Sequence, residues 1–255
     1  MADNASTDGS LNLIAAKLPG ATLLIFARNA GFAAAVNAAA GRARASFLLL
    51  INPDIDMRPQ CVRAVLERAE QLNANAILGG LSYFGDMRLN PCNAGHFPSL
   101  IGCLLIILGI RSRYSENRMR KCTDQLVRVD FVAGCFLLVR ADLFRNLGGL
   151  DERFFLYSED ADFCRRAAAV GVPAFFHRGA CYVHHGGILP RGNRFKARLL
   201  ARGLVVYARR HLPQWQRPFI SIILATWLIR RIVVSVVCPR RAKRSSPARG
   251  QTCHR

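Results

Sequence analysis

A chain of 255 residues with 51% apolar content can bury one α/β core with an appendage. Its 36 basic and 16 acidic residues give a net charge of +20. That excess attracts anions, whether nucleic acid, an anionic membrane surface or a phosphorylated substrate, but much of it lies near the C-terminus. None of the nine cysteines sits at CxxC spacing, which argues against a zinc site, and reduced thiols in a cytosolic setting are expected. The first ten residues are polar and acidic, unlike a signal peptide.

Residues 3–10 (DNASTDGS) carry turn chemistry and lead into a helix near 11–18. Residues 22–27 (TLLIFA) read as a short buried strand, and after Asn29-Ala30-Gly31 the Ala-rich run 32–40 reads as a helix. The run 46–51 (SFLLLI) predicts a buried parallel strand ending in Asn52-Pro53-Asp54-Ile55-Asp56. Pro59 starts a helix whose Val62, Val65, Leu66 and Ala69 share a face, and 76–78 is a strand closed by Gly79-Gly80. This β-α-β-α-β order is that of a parallel sheet. Residues 98–110 (PSLIGCLLIILGI) form a buried helix or a patch at a membrane surface, being too short to span, and 111–121 is a basic loop. Strand character resumes over 127–139 around Gly134, and a short helix over 141–147 ends at Gly148-Gly149.

The stretch 154–185 (FFLYSEDADFCRRAAAVGVPAFFHRGACYVHH) carries the most chemistry. Glu159-Asp160 open a helix, with acids in the first turn as the helix dipole prefers; Phe163, Cys164, Ala167 and Ala168 form its buried face. Strands over 173–177 and 180–183 lead to His184-His185. A base at a helix start and an imidazole at a strand end can meet at one rim of an α/β sheet, where open folds hold ligands. An amphipathic helix follows over 195–210. The run 219–238 is mostly apolar, but Arg230 and Arg231 near its middle cancel its insertion energy. It is expected to lie in the membrane interface, before a disordered basic tail.

Five segments in order, DNASTDGS at 3–10, NAGFAAAVN at 29–37, LLLINPD at 48–54, GGLDERFFLYSEDADFCRRA at 148–167 and VHHGG at 183–187, resemble the family 2 glycosyltransferases of GT-A fold. The nearest branch is rhamnosyltransferase-like, and the resemblance covers roughly residues 2–210. It implies a mixed α/β sheet flanked by helices, and an inverting sugar transfer from a dTDP- or UDP-sugar to a glycan or lipid-linked acceptor, with Mg²⁺ or Mn²⁺. Asp160 matches the family's base, with Glu159 as second choice. Asp54 and His184 match metal ligands, with His185 competing, and a carboxylate suits a hard cation. Asp3, Asn29, Gly31, Asn37, Asn52, Gly134 and Arg191 match the nucleotide-sugar site. Asn52 stands where many relatives carry Asp. Asp56 is read as a turn or capping acid, and Asp162 as support for the helix start or partner of a neighbour.

The family begins with a strand that precedes the DNASTDGS motif, and its lack here is expected to leave strand edges unpaired. The expected division is a GT-A domain over 1–195, a membrane-associated helical segment over 196–238 and the tail over 239–255. The expected location is cytoplasmic, peripheral to the inner face of the plasma membrane. A catalytically dead scaffold is the competing reading; a nucleic-acid binder, resting on charge alone, ranks last.

Overall fold

A computed structural model describes residues 1–73, 75–90, 94–107, 125–186 and 194–237. Arg191, the basic loop 111–121 and the tail 239–255 lie outside the described residues.

Ten strands and eight helices are described. In chain order they are β1 (Ala2–Asp3), α1 (Ser10–Lys17), β2 (Leu24–Ile25), α2 (Phe32–Arg42), β3 (Phe47–Ile51), β4 (Ile55–Met57), α3 (Pro59–Gln71), β5 (Ile77–Tyr83) and β6 (Ala94–Gly95). There follow α4 (Leu100–Ile107), β7 (Leu126–Val129), β8 (Phe131–Val132), β9 (Phe136–Arg140), α5 (Ala141–Asn146), α6 (Glu159–Ala169), β10 (Ala174–His184), α7 (Arg194–His211) and α8 (Gln216–Val237).

The main sheet runs β3-β9-β5-β10-β4, with β7 also paired to β10. It is mixed. Strand β9 is antiparallel to both β3 and β5, so β3 and β5 run the same way with a reversed strand between them. The parallel order read from the sequence therefore holds for direction but not for adjacency. Among the described residues β3 pairs on one edge only, and β1 and β2 form a separate parallel pair.

Gly79-Gly80, read as the end of a strand, lie inside β5. A Cβ on Gly79 would press on Val132, and one on Gly80 would overlap the Ala180 carbonyl, so the glycines mark close approach of neighbouring strands. The expected strand 127–139 divides into β7, β8 and β9. The two expected strands near His184 are one strand, β10, with an irregularity between His177 and Cys181.

Helix α3 forms as its spacing predicts. Pro59 occupies the first turn, where a missing N–H costs nothing, and Cys61, Val65 and Ala69 are its buried stripe. That stripe meets Leu78, Leu138, Phe136 and Tyr182 on one sheet face. Phe163, Cys164 and Ala167 of α6 join Ile77, Leu137, Val139 and Phe176 in the larger cluster. Each large apolar side chain so buried contributes about 1.5–3 kcal/mol. Helices α7, α8 and α4 stack as a further layer around Cys103, Ala201, Leu204, Ala208, Ile220 and Leu224.

Candidate active site

The site assembles at the ends of β3, β9 and β10 and at the start of α6. Helix α6 is delivered by a tight turn in which Tyr157 and Ser158 both have φ of +74°. Left-handed geometry at two successive non-glycine residues is costly and persists only where the surroundings enforce it. Here they do: Phe32 N–H donates to the Phe155 carbonyl at 2.9 Å, and Gly203 of α7 lies so close to the Tyr157 carbonyl that a Cβ there would overlap it.

Asp160, in the first turn, is half-buried. It accepts hydrogen bonds from Gly134 N–H at 3.1 Å and from Ala161 N–H at 2.8 Å. Loss of surrounding water raises its pKa above the ordinary carboxylate value, and those bonds only partly oppose the rise. Glu159 beside it is 4% exposed, and its Oε2 has no hydrogen-bond partner. Burial, then the Asp160 charge, drives the Glu159 pKa well above normal. Two adjacent carboxyls whose burial raises both pKa values, that of Glu159 the more strongly, are an arrangement suited to acid–base work.

Asp54 follows β3. Its carbonyl accepts from His185 N–H at 3.0 Å, and its Oδ1 lies 3.1 Å from His184 Nε2. That oxygen is buried yet lacks hydrogen-bond geometry to any donor. Gly186 crosses directly over the carboxylate; a Cβ there would overlap Oδ2. An orphaned carboxylate oxygen beside an imidazole suits a divalent cation. Among the described residues no group of three or more such ligands occurs. Two protein ligands are enough where substrate phosphates complete the shell, as is usual for Mg²⁺.

Cys135, between β8 and β9, joins the two halves. Its carbonyl accepts from Asn52 N–H at 3.0 Å, and its Sγ lies 3.4 Å from the Tyr182 hydroxyl. Burial pushes the thiol up to about 11, and the charges of Asp160 and then Asp54 add to the rise. Burial, then the charges of Glu159 and Asp54, likewise raises the pKa of the Tyr157 phenol.

The remaining expected residues divide by what their atoms touch. Asp3 is on β1, where its carboxylate accepts from Ser6 N–H at 3.0 Å. Asn29 closes a local turn onto Gly31 N–H at 3.0 Å. Gly31, at φ +94°, faces the Phe155 carbonyl closely enough that a Cβ would collide. The Asn37 carboxamide is engaged with the Leu150 backbone, donating to its carbonyl and accepting from its N–H, both at 2.8 Å. In this arrangement Gly31 and Asn37 brace the 150–155 segment. A Cβ on Gly134 would press on Phe32, and its N–H donates to Asp160, so Gly134 helps to orient that carboxylate. Asp56 is an exposed residue of β4 paired opposite Val183, neither turn nor cap.

Sequence reasoning passed over Asn4 and Cys135, and it foresaw only part of the role of Asp162. Asn4 ties the two N-terminal motifs together, donating to the Gly31 carbonyl at 3.0 Å and accepting from Ala30 N–H at 3.2 Å. Cys135 carries no motif. Asp162 is fully buried, with Arg166 Nε at 2.8 Å, His211 Nε2 at 2.7 Å and Arg210 Nε at 3.2 Å. The expectation that it pairs with a neighbour is met by Arg166, four residues on, but nothing in the sequence pointed to Arg210 and His211.

Comparison with known proteins bears on the family and the fold. The model of the glycosyl transferase family 2 matches residues 1–148. The N-acetylglucosaminyl-diphospho-decaprenol L-rhamnosyltransferase of Mycobacterium tuberculosis (strain ATCC 25618 / H37Rv) is 30% identical over 204 residues, 72% of this chain and 65% of that protein. Rhamnosyltransferase WbbL of Escherichia coli (strain K12) is 30% identical over 148 residues, 54% of this chain and 53% of that protein. The chain thus spans less than two thirds of these relatives' length. Among solved structures, mannosyltransferase PcManGT from Pyrobaculum calidifontis, in complex with GDP-Man and Mn²⁺, superposes with a TM-score of 0.59 at 15% identity, covering 93% of this chain and 65% of that one. GalNAc-T7 with UDP, GalNAc and Mn²⁺ gives 0.53 at 12% identity, covering 92% and 50%. At those identities the likeness is one of fold, and the fold is the GT-A arrangement of a mixed sheet flanked by helices. With more than half of its length matched by the family model, the chain belongs to the family 2 glycosyl transferases.

Proposed function

We propose that the chain transfers a sugar, with inversion, from a nucleoside-diphosphate donor to a hydroxyl of a glycan or lipid-linked acceptor. The observation that carries this reading is that one turn serves both carboxylates: Gly134 N–H donates to Asp160 while the next residue, Cys135, accepts from Asn52 N–H two residues before Asp54, which sets a candidate proton acceptor and a candidate cation ligand at one rim of the sheet. The acceptor oxygen attacks the anomeric carbon while the bond from that carbon to the diphosphate breaks. The proton leaves the acceptor hydroxyl for the Asp160 carboxylate, and the electron pair of the broken bond goes to the departing diphosphate. Gly134 N–H and Ala161 N–H hold the carboxylate's orientation. Asp54 and His184 would hold a divalent cation, Mg²⁺ or Mn²⁺, which neutralises the leaving diphosphate.

Rhamnose is the sugar suggested by the two rhamnosyltransferase relatives, and a dTDP- or UDP-linked form of it is what the family resemblance implies. A lipid-linked acceptor is suggested by the mycobacterial relative, which is named for N-acetylglucosaminyl-diphospho-decaprenol. Such an acceptor, and the net charge of +20, support work at the inner face of the plasma membrane. The experiment is nucleotide release from dTDP-rhamnose and a UDP-sugar panel, with and without Mn²⁺. Metal-stimulated release that rises with a polyprenyl-linked acceptor is expected. Folded protein that turns over no donor would favour an inactive scaffold instead.

A further inference from the structure

Helix α8 is apolar on two opposite sides, and only one of them is covered. Ile220 and Leu224 point into the α4–α7–α8 layer, and they and Trp227 are at most 8% exposed. Phe219, Ile222, Thr226 and Ile229 follow the i, i+3, i+7, i+10 spacing of the other side. The three apolar members are 51%, 63% and 61% exposed. The polar groups near this face are satisfied within the helix: the Thr226 hydroxyl donates to the Ile222 carbonyl at 2.9 Å, and Ser221 donates to the Arg217 carbonyl at 3.1 Å. Trp215, just ahead of the helix, is exposed as well. Helix α4, which packs against α8, repeats the pattern with Cys103 buried and Ile101 and Leu104 exposed. No helix of the described residues is long and apolar enough to cross a membrane.

We infer that the uncovered face of α8, with Ile101 and Leu104 of α4, docks onto the surface of an anionic phospholipid bilayer. Charge selects this occupant. Neither α4, α7 nor α8 contains an acidic residue. Arg230 lies exposed at one end of the apolar stripe, and Arg209 and Arg217 line a cleft of about 320 Å³ beside its other end, together with Pro218 and Ser221. An apolar stripe with cationic flanks is what binds lipid headgroups above and acyl chains below. The chain's own C-terminal residues do not suit the stripe: 238–255 contain no Leu, Ile, Val, Phe, Met or Trp, but several Arg and Lys, which add attraction to acidic headgroups. The inference stands on α4 and α8 and is independent of the sugar-transfer reading.

The test is co-sedimentation of the full chain with phosphatidylcholine vesicles and with phosphatidylcholine–phosphatidylglycerol vesicles. The protein is expected to pellet with the anionic vesicles, with Trp215 fluorescence shifting to the blue. Changing Ile222→Glu and Ile229→Glu together is expected to weaken this binding roughly tenfold or more, because each buried apolar contact is replaced by a charge repelled by the lipid. Both positions are exposed, so circular dichroism and donor hydrolysis in detergent should be unchanged. Should the double variant lose its fold, Ile222→Ser with Ile229→Ser is read in its place, with the same sign expected. Three results overturn the inference: no pelleting with anionic vesicles, undiminished pelleting of the variants, or a wild-type dimer that the variants split without vesicle binding.

Discussion

Replacing Asp160 by Asn tests the proposed chemistry with little structural disturbance. The carboxylate is held by Gly134 N–H at 3.1 Å on one oxygen and Ala161 N–H at 2.8 Å on the other. Asn keeps the shape and one acceptor oxygen but cannot take the acceptor proton. Loss of a positioned general base lowers the rate by about 10²–10⁴-fold. That is about 3–5 kcal/mol of barrier, at about 1.4 kcal/mol per factor of ten. The assay is kcat and donor KM by nucleotide release. A kcat loss of that size with donor KM nearly unchanged is expected, because Asp160 acts on the acceptor. A second readout runs in the opposite direction. The folded-state pKa of Asp160 is raised, so its stabilising contribution is complete below the unfolded value and lost as pH rises through the folded one. Ionisation is therefore a cost that Asp160→Asn removes, while the Asn amide nitrogen leaves one of the two backbone N–H groups without an acceptor, so the melting temperature of the variant should rise relative to wild type as pH rises through the folded pKa. The same raised pKa sets the activity profile: the base must be ionised, so kcat should fall with acid on a limb above the ordinary carboxylate range. A variant within about threefold of wild-type kcat would refute the assignment. Collapse of activity in Glu159→Gln with Asp160→Asn intact would move the base to Glu159.

Asp54→Ala should weaken Mn²⁺-dependent donor binding by about tenfold or more, measured by calorimetry with and without metal, while metal-free nucleotide binding changes little. Gly186→Ala should reproduce that loss, because its Cβ overlaps Asp54 Oδ2; donor binding equal to wild type would show that the carboxylate is not held there for a cation. Asp162→Ala should destabilise the fold by about 3–5 kcal/mol in urea unfolding, since it leaves Arg166 and Arg210 without the buried carboxylate they face. The Asp162 pKa is held below normal by His211 and Arg166 against the opposing effect of burial. Its contribution is thus present above the unfolded value of 3.8 and lost as pH falls through the folded one, so Asp162→Ala should flatten the acid limb of the wild-type stability curve.

The elements that periodicity describes were legible. Helix α3, with its Val65 and Ala69 stripe, and helix α6, with acids ahead of Phe163 and Ala167, follow from spacing alone. Sheet order was not, because an apolar run such as Phe47–Ile51 reads the same whether its neighbour is parallel or antiparallel. Gly79 and Gly80 illustrate the ambiguity of glycine, which ends strands in sequence logic but here admits Val132 and the Ala180 carbonyl to β5. The adjacency of Asp54 and His184 was anticipated through family resemblance; nothing in local spacing carries a contact across the 130 positions between them (184 − 54). Cys135 was invisible because its place in the site comes from the turn between β8 and β9 and not from its own chemistry.

Asp162 shows why the helix that carries Asp160 and the C-terminal helices belong to one mechanical unit. It lies two residues beyond Asp160 in α6, yet its partners His211 and Arg210 close the last turn of α7. Arg166, its third partner, also donates to the Leu147 and Gly149 carbonyls at 2.6 and 2.7 Å, fixing the loop that Asn37 holds from the other side. Gly203 of α7 meanwhile packs on the Tyr157 carbonyl, at the strained turn that aims Asp160. Buried ionic groups of this kind gain little net stability over apolar packing, because desolvation offsets their attraction, but they penalise every misplaced register. Their consequence here is geometric: α7 cannot shift on α6 without stripping a buried carboxylate of its cations. Since α8 packs on α7, a bilayer seated on the α8 stripe would sit at a fixed distance and angle from the base. An acceptor whose sugar is tethered to a membrane lipid can then be presented to Asp160 without a search in depth, and loosening the clamp should raise the KM for a lipid-linked acceptor more than that for a soluble one.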